Sequence, residues 1–448
     1  MIPDKVHLQR QKNILIKSVL YLNIKAMQEI TSKEYNDVIN SGGPVVVDFY
    51  STECPPCEAL APKLESLENL FSDDIRFVKI FRQGNRDLSE ALGVKSSPTL
   101  LFYEGGKEVC QRIAGGIKRS DIIREIGHLI GRVKVEKKLS GMEPVFTETD
   151  VAILGAGPGG LTAGLYLCQA KINTTLIDVA LPGGYMATTH MISNYPGFIE
   201  PQPGFMLSHN MSEQTKRCGT IYKVAVDVTK VDLVKKEIVI DDYETIKAKK
   251  IVIATGTTPR KLNIPGEQEF MGKGISYCAT CDAKYFEGKE VVIIGGGNSA
   301  IEESAFISKF ASGITIVHQF DTLQANKMAQ EKAFSNPAIS FMFEHEPRSF
   351  SSRGDKMEVE VEDLKTGNRK TLVTDGVFVF IGLRANLSVF NDELELDQWG
   401  YVKVNEDMQT SIKGVYSVGD INSKKYRQIT TAVADGTIAA IAITKEIE

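Results

Sequence analysis

Residues 151–167 read VAILGAGPGGLTAGLYL, and this stretch decides the fold. Apolar residues suited to a buried strand run into a glycine-rich turn, and apolar residues at helical spacing come after it. The turn carries G-x-G-x-x-G as Gly155, Gly157 and Gly160. In that pattern the first glycine permits a tight turn and the second lets the backbone approach a pyrophosphate. The third lets helix and strand pack closely, so that the helix N-terminus faces the phosphates. Asp178 closes the next apolar run, TTLID, 23 residues beyond Gly155. A carboxylate there can accept hydrogen bonds from a ribose. The isolated motif is a weak signal; strand, helix and acid together make it a dinucleotide site.

The pattern recurs. Residues 291–308, VVIIGGGNSAIEESAFIS, hold Gly295, Gly297 and Ala300 in the three places, with Asn298 and Ser299 opening the helix. Two such openings predict an α/β protein with two dinucleotide-binding domains on doubly wound sheets. The second site differs where the ribose is read. Its following strand, GITIVH, leads to His318, Gln319 and Phe320, with neither an acid nor an arginine. A 2′-phosphate needs guanidinium or ammonium partners, and only Lys327 and a protonated His318 are at hand. NADH is therefore expected in preference to NADPH. The neighbouring Glu302 and Glu303 read as a solvated first-turn pair favoured by the helix dipole.

At 448 residues the chain is too long for one core, and its composition is that of a globular protein. A net charge of −5 without any Lys/Arg block argues against nucleic-acid or anionic-membrane partners. No apolar run is long enough to span a bilayer. Residues 1–26 are basic and partly apolar, but Lys17 interrupts the run and no small-residue cleavage site comes after it. They read as a poorly ordered leader or helix, with Met27 a candidate start.

Ahead of the first glycine turn, from about residue 30 to 130, lies another alternation of strands and helices. PVVVDFY and FVKIF read as strands, and TLLFYEGGKEV as a strand turning at Gly105 and Gly106 into a hairpin. CEALAPKLESLENLF and DIIREIGHLIGRV read as helices. The charged residues 133–148 show no clear periodicity and read as a linker.

Seven cysteines include two C-x-x-C pairs, Cys278 and Cys281 in SYCATCDAKY and Cys54 and Cys57 in YSTECPPCEAL. The pairs lie more than two hundred residues apart, which disfavours one shared zinc ion. No metal site is expected. Cys110, Cys168 and Cys218 stand alone and read as small hydrophobes. His190 reads as a surface loop residue.

From about residue 150 onward the chain resembles the low-molecular-weight thioredoxin reductases. The motifs that carry the resemblance are GAGPGG, PGGYMATTHMISNYPGF, IATGTTPR, SYCATCDAKYF, GGGNSA and VYSVGDINSKKYRQITTAVADGTIAA. The resemblance implies an FAD-binding domain over 149–264 and 377–448, and an inserted NAD(P)-binding domain with the dithiol over 265–376. It places Gly184, Asn194, Thr255, Gly256, Gly419, Asp420, Arg427 and Gln428 about FAD, with Asp420 on the ribityl chain. It makes Cys281 the flavin-facing thiol, Cys278 the exchanging thiol and Asp282 its acid/base. The family's GGQ is Gly183-Gly184-Tyr185 here. Some relatives with a degraded arginine clamp use other donors, including reduced ferredoxin or flavin cofactors.

Residues 27–132 resemble thioredoxin, through VVVDFY with Asp48 six residues before Cys54, and through Lys79, Ser97 and Pro98. The resemblance implies a cis bond at Pro98 against the dithiol, with Cys57 as the buried resolving thiol. Asp48 and Lys79 read equally as an ion pair or as proton handling for Cys57. Glu53 replaces the family's Trp, which removes an aromatic docking surface and raises the Cys54 pKa by like-charge repulsion. The whole reads as a thioredoxin reductase fused to its thioredoxin. It would be a cytoplasmic homodimer passing electrons from NAD(P)H through FAD and the two dithiols to protein disulfides. A reductase for a peroxiredoxin and an N-terminal domain that only docks a partner are the alternatives.

Overall fold

The computed structural model describes residues 27–189, 191–192, 194–390 and 394–447. The expected leader 1–26 and His190 lie outside the described residues. The chain divides into two compact units, one reaching to Val145 and the other holding most of the residues beyond it.

In the first unit PVVVDFY forms the strand Val45–Tyr50, buried over its first five residues. A nearly continuous apolar run suits a strand covered on both faces. It pairs in parallel with Arg76–Phe81 and antiparallel with Thr99–Glu104. The chain then turns at Gly105 and Gly106, both at positive φ, into the hairpin strand Lys107–Glu108. Helix Pro55–Phe71 starts with Pro at its first position, where no amide hydrogen is missed. It buries Leu60, Leu64, Leu67 and Phe71, a stripe at i, i+4, i+7 and i+11. These meet Val46, Leu100 and Phe102 of the sheet and Ile122 and Ile126 of helix Arg119–Ile130 in one core.

The expected linker is structured instead. Arg132–Ser140 is a helix and Val145–Leu154 a strand. Val135 is buried with Phe71 and Leu129, and Leu139 packs against the same cluster. Lys134 and Lys138 both pair with Asp74. Two apolar residues among so many charges make a stripe too thin to register as periodic.

The second unit carries two main sheets. In one, Glu244–Ile253, Val145–Leu154, Thr174–Asp178 and Ile221–Val224 lie in that order, with Val415–Ser417 parallel to the end of the first. In the other, Ile275–Ser276, Gly376–Val379, Glu290–Ile294, Gly313–His318 and Ile339–Phe343 are all parallel. Gly376–Val379 is wholly buried inside that sheet. The inserted sheet therefore extends beyond the boundary expected between 376 and 377, because the apolar run GVFV is one of its central strands. The chain passes between the two sheets through a paired ribbon, Thr257–Pro259 against Leu383–Ala385. The thioredoxin-like sheet and the two dinucleotide-type sheets confirm the expected fold class.

Candidate active site

At the first glycine turn the sequence rule has a visible steric cause. Gly155 has φ +110°, and a Cβ there would collide with the Ala254 carbonyl. One on Gly160 would collide with the carbonyl of Gly155. Gly157 caps helix Pro158–Gln169 and faces open space, so the amides of the first helical turn are approachable. Asp178 accepts from the Ala156 amide at 2.6 Å and from the Ala180 amide at 2.8 Å, so it braces the turn at whose edge it stands. Gly184 lies against Gly157, a Cβ on it coming within 3.1 Å of the Gly157 Cα. Thr255 donates to the Asn386 carbonyl at 2.9 Å, and Gly256 comes next at positive φ.

The C-terminal motif arrives at the same place. Gly419 donates its amide to Asp435 at 2.9 Å, and Val418 and Gly419 lie against Gly159. Next to it, Asp420 Oδ1 is buried with no hydrogen-bond partner, and burial raises the carboxyl pKa. Lys424 Nζ lies 3.9 Å from this oxygen, an ion pair beyond hydrogen-bond reach, so a ligand donor would complete the acceptor. The residues present thus fit a flavin dinucleotide with its hydroxyl-bearing chain at Asp420. Asn194 donates to Gln428 at 3.1 Å, which brings two widely separated candidates together. Arg427 stacks its guanidinium on Tyr401 at 3.7 Å and donates to the carbonyls of Asp420 and Asn422. It supports the Asp420 turn from behind.

The second glycine turn repeats the geometry. A Cβ on Gly295 would collide with the Phe380 carbonyl, Gly297 caps helix Asn298–Ile307 and faces open space, and Ala300 is fully buried. Asn298 accepts from the Asn326 amide at 2.7 Å, and Ser299 is exposed beside it. His318, one of the two groups at hand for a 2′-phosphate if protonated, is buried. It is 5 % exposed, and its ring sits so close to Gly296 that a Cβ there would lie 2.5 Å from it. Burial lowers its pKa and favours the neutral ring, against the opposing pull of the Thr322 carbonyl, which accepts from Nε2 at 3.2 Å. Gln319 and Phe320 are exposed, and Lys327 opens helix Lys327–Phe334.

Cys278 is disulfide-bonded and stands just before the short helix Ala279–Asp282, which contains Cys281. Ser276 ties the segment together. Its hydroxyl accepts from the Cys278 amide at 3.1 Å and donates to Asp282 Oδ2 at 2.6 Å. Two contacts hold this segment to the glycine-rich 183–189 stretch. Tyr185 OH donates to the Tyr277 carbonyl at 3.4 Å, and Thr280 Oγ1 donates to the Thr188 carbonyl. Tyr185, where the family carries Gln, is therefore a contact between the dithiol segment and the first glycine turn.

In the first unit Cys54 and Cys57 form a disulfide with Cα atoms 5.2 Å apart. Cys54 caps helix Pro55–Phe71, and its sulfur accepts from the Cys57 amide at 3.3 Å. The Ser97–Pro98 bond is cis, and the Ser97 carbonyl lies 3.5 Å from Cys54 Sγ. Ser97 Oγ accepts from Ser51 and from Arg82, two neighbours that no motif singled out. Glu53 is exposed and adopts φ +51°. Asp48 faces Lys79 across the paired strands, but Asp48 Oδ1 has no hydrogen-bond partner. Burial pushes its pKa up to about 7, against the opposing pull of Lys79. Lys79 lies over the Tyr50 ring.

Sequence reasoning also misread Glu303. Helix Asn298–Ile307 starts late enough to put it in the second turn, where it is partly buried. Burial, reinforced by Glu302, pushes its pKa up to about 7, and its charge acts on the Tyr185 phenol.

Comparison with known proteins agrees with this architecture. The sequence profile of the pyridine nucleotide-disulphide oxidoreductase family matches residues 149–436, and that of thioredoxin matches residues 26–128. The chain belongs to the pyridine nucleotide-disulphide oxidoreductase family, which implies a flavin and a nicotinamide cofactor. More particularly, it is a thioredoxin reductase-type flavin oxidoreductase with a thioredoxin domain at its N-terminus. It is 41% identical over 314 residues to the thioredoxin reductase of Peptoclostridium acidaminophilum, covering 68% of this chain and 98% of that one. Against the thioredoxin reductase of Bacillus subtilis it is 39% identical over 306 residues, 67% of this chain and 95% of the relative. The solved thioredoxin reductase of Lactococcus lactis superposes with a TM-score of 0.63 at 37% identity, over 66% of this chain and 98% of that one.

Proposed function

We propose that this chain is a thioredoxin reductase joined to its own thioredoxin, which draws electrons from a reduced donor and delivers them to protein disulfides in the cytoplasm. The observation that carries the reading is a Cys54–Cys57 disulfide and a disulfide-bonded Cys278 in one polypeptide that also presents, beside a dinucleotide turn, a buried Asp420 oxygen with no hydrogen-bond partner. Bound FAD would supply the two-electron chemistry between donor and disulfide. Cys278, with Asp282 held by Ser276 to manage its proton, attacks Cys54 and releases Cys57 as the leaving thiol. Cys281 then displaces Cys54 from Cys278. Asp48, with its pKa near neutrality, returns a proton to Cys57 and withdraws it when Cys57 resolves the mixed disulfide with a substrate. One disulfide opens for each that closes, so electrons stay paired.

NADH is the proposed nicotinamide donor, because burial of His318 leaves Lys327 as the cation at hand for a 2′-phosphate, with no guanidinium clamp. Reduced ferredoxin is the second reading, favoured by the same missing clamp. Anaerobic titration of the full chain with NADH, NADPH and reduced ferredoxin, following flavin bleaching, separates them. NADH should bleach the flavin at lower concentration than NADPH; a strong NADPH preference overturns the donor assignment. Cys278→Ser should keep bleaching and lose all reduction of insulin disulfides. Insulin turnover persisting in that variant would refute the relay.

A further inference from the structure

The relay uses four of the seven cysteines, and two of the remaining three face each other. Cys168 lies at the end of helix Pro158–Gln169, and Cys218 is the last residue of helix Gly204–Cys218. Each thiol reaches across to the other helix. Cys168 Sγ lies 2.6 Å from the Cys218 carbonyl, and Cys218 Sγ lies 3.8 Å from the carbonyl of Leu165, one turn before Cys168. Cys218 also bears on the ionisation of the Cys168 thiol. Gly219, which ends the second helix in the left-handed conformation, makes the room: a Cβ there would press on Cys168 Sγ at 3.3 Å. Both cysteines are partly exposed, so a small oxidant can reach them.

We propose that Cys168 and Cys218 form a third redox pair, a dithiol that hydroperoxides close to a disulfide independently of the catalytic relay. With hydrogen peroxide, one thiolate attacks the peroxide oxygen, giving a sulfenic acid and one water. The second thiol attacks that sulfur, forming the S–S bond and releasing a second water. Two electrons pass from the sulfurs to the peroxide, and both thiol protons end in water. Burial, reinforced by Cys218, raises the Cys168 pKa. The link joins the helix that begins at the first glycine turn to the helix whose Gly204 packs against the Met186 and Thr189 carbonyls. Oxidation thereby staples together the two helices behind the flavin site, closing a loop across a sequence separation of 50.

The test uses the full chain with Cys54, Cys57, Cys278 and Cys281 all changed to Ser, leaving Cys110, Cys168 and Cys218. Hydrogen peroxide should lower the free-thiol count from three to one, with an intact-mass loss of two hydrogens. A non-reduced peptide map should show residues 168 and 218 joined, and dithiothreitol should reverse both. In parallel, peptide mapping of the peroxide-treated wild-type chain should show the same link. Cys168→Ser should lose it and carry oxygen on Cys218, and the linked form should melt at higher temperature. Three surviving thiols, oxidation only to sulfinic or sulfonic acids, or a link through Cys110 would overturn the proposal. The inference does not rest on the relay, so either can fail alone.

Discussion

Asp48 occupies the middle of a buried strand, where an aliphatic side chain would be the cheaper choice. Its carboxyl is raised from 3.8 to about 7, chiefly by burial. The folded state therefore holds a proton that the unfolded chain releases near pH 4, and stability falls as pH rises from about 4 to 7 and then levels. The rise corresponds to about 4 kcal/mol at most. Asp48→Asn, which removes the charge and keeps the shape, should stabilise the first unit at pH 8 by up to that amount and by less at pH 5. Denaturant unfolding at the two pH values measures it. The same variant should slow insulin reduction, since Cys57 loses its proton partner. Equal stabilisation at both pH values would mean that Asp48 does not titrate in this range.

At the scale of elements, close backbone approach is the recurring device. Helix Ile429–Ile447 packs on helix Pro158–Gln169 with Gly436 against Gly159, and a Cβ on Gly436 would collide with the Gly159 carbonyl. Gly436→Ala must push the helices apart, at a cost of about 1–3 kcal/mol, and shift Gly159 against the Gly419 turn. Lower flavin content per chain and a lower melting temperature should appear together. Full flavin retention would show that the contact can relax.

The glycines at 155, 160 and 295 were legible because a turn that tight excludes every other residue. Their helices and strands could be read from apolar runs, and the cis bond at Pro98 from resemblance. Other features were hidden for physical reasons. Gly296 looked like one more glycine of the motif, although its role is to admit the His318 ring. Glu303 looked solvated because its pairing with Glu302 is local, while its burial comes from distant chain. Helix Arg132–Ser140 was concealed because Val135 and Leu139 make too thin an apolar stripe, and its ion pairs to Asp74 leave no periodic pattern.

For the whole molecule, the proposed relay would place donor and acceptor dithiols in one chain, at an effective concentration on the order of mM for their exchange. Specific insulin-reducing activity should therefore stay constant when the protein is diluted, whereas a mixture of separately expressed units should lose rate. A fall in specific activity on dilution of the full chain would point to exchange between molecules.

The ribbon of Thr257–Pro259 against Leu383–Ala385 gives the inserted sheet a particular freedom. Two independent strings would let it wander in every direction. Two strings laced by backbone hydrogen bonds twist as a single strap, so swivelling is inexpensive and splaying is not. Any reorientation of the Cys278 segment that the chemistry demands is thereby channelled along one torsional coordinate, with both crossings arriving in register.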